Sequence, residues 1–167
     1  MSYDFGTFKP GHESVAQKFL ATPSFAVVGA SKDQTKVGNR ILRWYQTREF
    51  NVTPVHPKEP ELEGIKTITD ISELPSPNAT ALSIITPPKV SAPHCPPPTR
   101  APQKFPTQVT LAVVEKAKEL DVPFLWIQPG AEDEAVLDYI KTHNLTDRVI
   151  YGGACLLVLG DGVRSNL

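Results

Sequence analysis

Residues Val27–Leu42 read "VVGASKDQTKVGNRIL". Two valines run into Gly29 and Ala30, a polar stretch follows, and then Val37, Ile41, Trp44 and Tyr45 recur at helical spacing up to Phe50. This is a strand, a small-residue turn and a helix. The run "SFAVVGA" (Ser24–Ala30) is short and continuously apolar, as a strand covered on both faces requires. A helix starting near Val37 aims free N–H groups and a positive dipole end at the turn, where a phosphate can sit. Lys36, Arg40 and Arg43 add positive charge nearby.

On either side of this unit the pattern repeats. "HESVAQKFLA" (His12–Ala21) places Val15, Phe19 and Leu20 on one helical face, and Pro23 ends it. "NVTPVHP" is a second strand, stopped by Pro57. "TIT" (Thr67–Thr69) reads as a short strand and "DISELP" as a helical turn. "ATALSIITPP" is a third apolar run. Thr110–Leu120 is a helix with Val113, Val114, Ala117 and Leu120 on one face; "VPFLWIQPG" is another covered strand. Glu132–His143 is a helix with an acidic first turn, and "DRVIYGG" a last strand. Strands alternating with helices predict an α/β fold: a Rossmann-like parallel sheet with helices on both faces, in three layers. Right-handed crossovers bring "GASKDQTKVG", "HPKEPE", "TPPK" and "QPGAED" to one edge, where such sheets bind ligands.

Composition bounds the function. At 167 residues the chain is read as one domain, long enough to bury a core. A net charge of −1 offers no electrostatic case for nucleic acid or a membrane. No apolar run reaches the ~18 residues of a membrane span, and "MSYDFGTFKPGHE" has no apolar or Arg-rich targeting character. Cys95 and Cys155 are too few for a disulfide framework, so a cytoplasmic setting is expected.

The turn carries neither G-x-G-x-x-G nor G-x-x-x-x-G-K-[ST]. A nicotinamide cofactor's ribose usually meets a carboxylate at the end of the second strand. Here that position reads "VHPK" (Val55–Lys58), which suits a phosphorylated ribose or an adenine on an apolar turn. Both features weigh against NAD; an NAD(P)-dependent oxidoreductase is the main alternative. No metal spacing and no Ser-His-Asp context occurs. His12 and His143 are read as solvated, His56 as a packing or hydrogen-bonding group in the crevice, Cys155 as a small buried hydrophobe, and Trp126 as core.

These residues resemble the small, stand-alone CoA-binding proteins, related to the CoA-binding domain of succinyl-CoA synthetase α chains. The matching pieces are "AVVGASKDQTKVGNRIL", "FNVTPVHPK", "GIKTITDISELP", "ALSIITPP", "FLWIQPGAEDEAV" and "VIYGGAC", in the family's order over nearly the whole chain. The resemblance implies coenzyme A, or an acyl-CoA, as the ligand. It implies contacts from Gly29, Ala30 and Ser31, phosphates flanked by Lys36, Gly38 and Arg40, and a nucleotide bordered by Val55, His56 and Pro57. Thr86, Pro87 and Pro88 would line the pantetheine side, and Gln128, Pro129 and Gly130 the floor. Many relatives carry Arg before the final cysteine; this chain has Ala154. The synthetases also use a phosphorylated histidine from a second domain that these residues do not contain, so no catalysis is expected.

One segment fits none of this. Ser91–Gln108 holds six of the seventeen prolines and has no periodicity. Without Val90–Gln108 the chain reads "ITPPKVTLAVVEKAKEL", a βα loop of ordinary length. The excess is 19 residues, or 3 × 19 = 57 nucleotides, the size of a short fungal intron, and leaves 167 − 19 = 148 residues. Val90-Ser91 can be encoded GTA-AGT and Gln108 CAG, a splice donor and acceptor. An intron-derived segment is the expectation; a genuine loop binding a partner in the polyproline II conformation is the alternative.

Overall fold

The computed structural model describes residues 6–85 and 106–167, with residues 106–108 described by their backbone alone. The expected Rossmann-like α/β fold is present. Strands β1 (Ser24–Val28), β2 (Val52–Val55), β5 (Thr80–Ile84), β6 (Leu125–Ile127) and β7 (Val149–Ile150) form a parallel sheet in the order β2-β1-β5-β6-β7. Between β2 and β5 a small antiparallel hairpin, β3 (Glu61–Leu62) and β4 (Ile65–Lys66), stands apart from the sheet. From β1 the chain moves one way to β2, then jumps back across to β5. That reversal makes the C-terminal ends of β1 and β5 the topological switch point.

The helices α1 (His12–Leu20), α2 (Val37–Gln46) and α5 (Leu156–Arg164) share one core on one side of the sheet. In it Phe19, Phe25, Tyr45 and Trp126 meet ring against ring. The helices α3 (Pro106–Glu119) and α4 (Glu134–Thr142) cover the other side with Val114, Val136 and Ile140. The central strands alternate between the two cores, Phe25 and Val27 against Ala26 and Val28, which is why they read as unbroken apolar runs. Ser83, fully buried in β5, meets the Tyr45 hydroxyl at 2.7 Å, which removes the cost of a bare hydroxyl in the core.

Several expectations need correction. "TIT" is not a strand: Ile68 forms a single isolated bridge to Val55, and the strand pairing just before it is the unforeseen β3–β4 hairpin, separate from the sheet. α3 starts earlier than expected, taking its first turn from residues 106–108 at the end of the proline-rich segment; a proline is tolerated there because first-turn N–H groups lack helical partners. α4 starts two residues later than expected, because Asp133 accepts a hydrogen bond from the Val136 N–H (3.0 Å) and caps it. His12 is not solvated but buried, edge-on to the Tyr151 ring. α5 was not foreseen.

Candidate functional site

The site is built on backbone contacts at the switch point. Gly29 leaves β1 with φ +88°, and a Cβ there would lie 1.6 Å from the Ile85 carbonyl oxygen. Only glycine allows the turn to press so closely on the exit of β5. Gly38, in the first turn of α2, does the same one layer up: its Cβ would lie 2.3 Å from the Gly29 carbonyl oxygen. The two glycines seat the start of α2 on the sheet edge. Among the described residues no side chain caps that helix, which leaves its first N–H groups without a side-chain acceptor beside the turn, as an anion cradle requires.

The loop between them is already folded. The Asp33 carboxylate accepts from the Thr35 N–H (3.0 Å) and hydroxyl (2.6 Å), and these bonds hold its pKa below the ordinary carboxylate value. Ser31 Oγ accepts from the Asp33 N–H (3.2 Å), which leaves the Ser31 hydroxyl proton available to a ligand oxygen. The Ala30 side chain belongs to the core, so its backbone alone remains for a ligand. Lys36 and Arg40 are both exposed beside this turn.

At the end of β2, Val55 is buried in the opposite core, whereas His56 is half-buried and Pro57 exposed. His56 Nδ1 accepts from the N–H groups of Lys58 (3.1 Å) and Glu59 (3.0 Å). That fixes the ring proton on Nε2, so the position that holds a carboxylate in nicotinamide-binding proteins presents a donor here. Across the crevice Lys32 pairs with Glu59 at 2.9 Å, a bond that raises the Lys32 pKa and lowers that of Glu59.

On the far side Gln128 is buried, and its Oε1 accepts from the Leu156 N–H (3.0 Å), tying the β6 exit to the start of α5; Pro129 is half-buried and Gly130 exposed. Trp126 is fully buried, as expected, and its indole N–H donates to the Ala154 carbonyl at 2.8 Å. Cys155 is not a fully buried thiol: it is half-exposed at the N-cap of α5. Sequence reasoning missed Glu132, which accepts from the Gly152 N–H (3.0 Å) and whose other oxygen is buried without a partner among the described residues. Burial raises its pKa, against smaller opposing effects of that bond and of Lys9. Its one signal was an acidic residue just ahead of a capping aspartate. Thr86, Pro87 and Pro88, like His94, Cys95 and the rest of the proline-rich segment up to Phe105, lie outside the described residues. Among the described residues no cluster of His, Cys, Asp or Glu forms a metal-ligand set. No described helix is long and apolar enough to cross a membrane.

The family described as CoA binding domain matches residues 23–96 and 105–161. The chain belongs to this CoA-binding domain family. Solved structures share its fold. A conserved hypothetical protein from Pyrococcus furiosus is 31% identical over 81% of this chain and 97% of its own, with a TM-score of 0.61. A hypothetical protein from Pyrococcus horikoshii (16% identity, 96% of both chains, TM-score 0.67) and a protein from Thermus thermophilus (20%, 93% and 99%, 0.66) share the fold. No curated protein sequence matches it. The resemblance read from the quoted segments therefore holds at the level of the family.

Proposed function

We propose that this CoA-binding domain binds coenzyme A, or an acyl-CoA, through its nucleotide and pyrophosphate at the C-terminal edge of the sheet, without chemistry of its own. The observation that carries the reading is the uncapped start of α2, seated by Gly38 on the Gly29 turn at the switch point. The pyrophosphate takes the N–H groups there, with Ser31, Lys36 and Arg40 around it. The adenosine lies toward His56 and Pro57, where a Nε2–H donor favours a phosphate over a ribose diol. The pantetheine runs toward Thr86–Pro88 and Gln128–Gly130. Mass spectrometry of the small molecules released from the purified protein tests this: CoA or an acyl-CoA is expected, and a nicotinamide dinucleotide in its place sinks the reading.

We further propose that Ser91–Gln108 is an intron-derived insertion. The family match breaks between residues 96 and 105, inside this segment. Removing Val90–Gln108 costs α3 only its first turn, and Val114 and Ala117 keep their place in the core. Shortening a long loop stabilises by roughly 1–2 kcal/mol. The 148-residue form, 167 − 19, is expected to fold and to bind CoA at least as well as the full chain. Loss of CoA binding on deletion would make the segment part of the site. A transcript pool that always contains the 57 nucleotides, 3 × 19, would rule out the intron.

A further inference from the structure

We propose that Asn39 is the positioning residue of the phosphate turn, and that the β3–β4 hairpin, acting through Glu63, sets how firmly that turn holds an anion without touching it. The inference takes its ligand from the CoA reading above.

Asn39 is fully buried in the first turn of α2. Its Nδ2 donates to the Ser31 carbonyl at 2.8 Å and to Glu63 Oε1 at 2.7 Å, so both amide protons are used. Among the described residues its Oδ1 is buried with no partner. Flipping the amide would turn that oxygen on two acceptors, so one orientation is allowed. An unpartnered buried acceptor is destabilising, and an apolar side chain would fill the space without it. What asparagine adds is a rigid fork between a carbonyl of the phosphate turn and a carboxylate of the hairpin.

Glu63 is held just as firmly. It has φ +49°, a left-handed conformation uncommon outside glycine, and Gly64 follows at +79° to complete the tight turn. Its own carbonyl accepts from Gln46 Nε2 at 2.8 Å. Asn39 and Gln46 are 46 − 39 = 7 residues apart, two helical turns along one face of α2. The hairpin is therefore strapped to α2 at both ends of that face, and the strap continues through Asn39 into Ser31.

Three variants of the full chain test this. Glu63→Ala removes the acceptor; Glu63→Gln keeps a carbonyl oxygen for the Asn39 N–H; Asn39→Ala removes the fork. Glu63→Ala and Asn39→Ala are expected to raise the Kd for CoA by roughly three- to tenfold, the worth of one hydrogen bond, and Glu63→Gln by less than about twofold. Amide hydrogen exchange across Lys32–Lys36 in the ligand-free protein should quicken in the two alanine variants and not in Glu63→Gln. Unchanged exchange in both alanine variants would overturn the strap. Faster exchange with unchanged CoA affinity would overturn its role in binding. If the parent protein does not bind CoA, the proposed function fails, while the exchange arm still decides the strap. Glu63 lies on a half-exposed turn, so its variants keep the test open even if Asn39→Ala does not fold.

Discussion

Gly38→Ala adds one methyl group at the point where α2 rests on the phosphate turn. The new Cβ would lie 2.3 Å from the Gly29 carbonyl oxygen and 3.3 Å from its carbon, where real Cβ atoms come no closer than 3.0 Å. The start of α2 must therefore retreat by at least 3.0 − 2.3 = 0.7 Å. The turn cannot yield instead, because Gly29 is already pressed on Ile85. Two effects oppose each other. Alanine favours a helix over glycine by up to about 1 kcal/mol. Overpacking against backbone costs about 1–3 kcal/mol. With the full helix gain subtracted, the clash wins by up to about 3 − 1 = 2 kcal/mol, which lowers the Tm of a domain of this size by up to about 8 °C. The retreat also draws the first N–H groups of α2 away from the phosphate, so CoA affinity should fall about tenfold, the worth of a charge-assisted hydrogen bond. Thermal unfolding followed by circular dichroism, with a CoA titration well below the melt, reads both. A variant that melts at or above the parent temperature with unchanged CoA affinity would refute the claim that glycine packing positions the site.

Lys36→Ala and Arg40→Ala should each weaken CoA binding about tenfold or more and flatten its salt dependence; unchanged affinity in a calorimetric titration of both would remove them from the site. Glu132→Gln should melt above the parent at neutral pH, because it keeps an oxygen for the Gly152 N–H without burying a charge. Burial raises the folded carboxyl above its ordinary 4.5, so the folded state holds the proton more tightly and the parent loses stability as pH rises between those two values. The gap between variant and parent should thus close as pH falls toward 4.5, and a gap independent of pH would refute the assignment. Cys155, half-exposed, should react with a maleimide in the native protein, read by mass spectrometry after digestion; labelling only after unfolding would show a buried thiol.

The sheet and its main helices were legible because both covers of each strand leave the same unbroken apolar signal. Phe25–Val28 and Leu125–Ile127 carry it, and Thr80–Ile84 carries it interrupted by the buried Ser83. What escaped was structure made by single contacts. In α5, Gly160 and Gly162 dilute the helical pattern, yet Gly160 is where the helix docks on the Trp44 ring; a Cβ there would lie 2.6 Å from it. The hairpin has only four strand residues, too few for any period to emerge. At the candidate site, Gly29 and Lys36 were legible from the strand–turn–helix pattern. The positioning role of Asn39 was not, because its partner Glu63 lies 63 − 39 = 24 residues away in the hairpin that went unread. His12 was misread because one polar residue on a helix gives no sign that β7 will pack Tyr151 against it.

Side-by-side calorimetric titration of the purified chain with CoA, dephospho-CoA and NAD tests the central claim most directly. The pre-folded α2 cradle and the donor at His56 predict saturable CoA binding, weaker dephospho-CoA and no detectable NAD. NAD binding as tightly as CoA, or heat from none of the three, would contradict it.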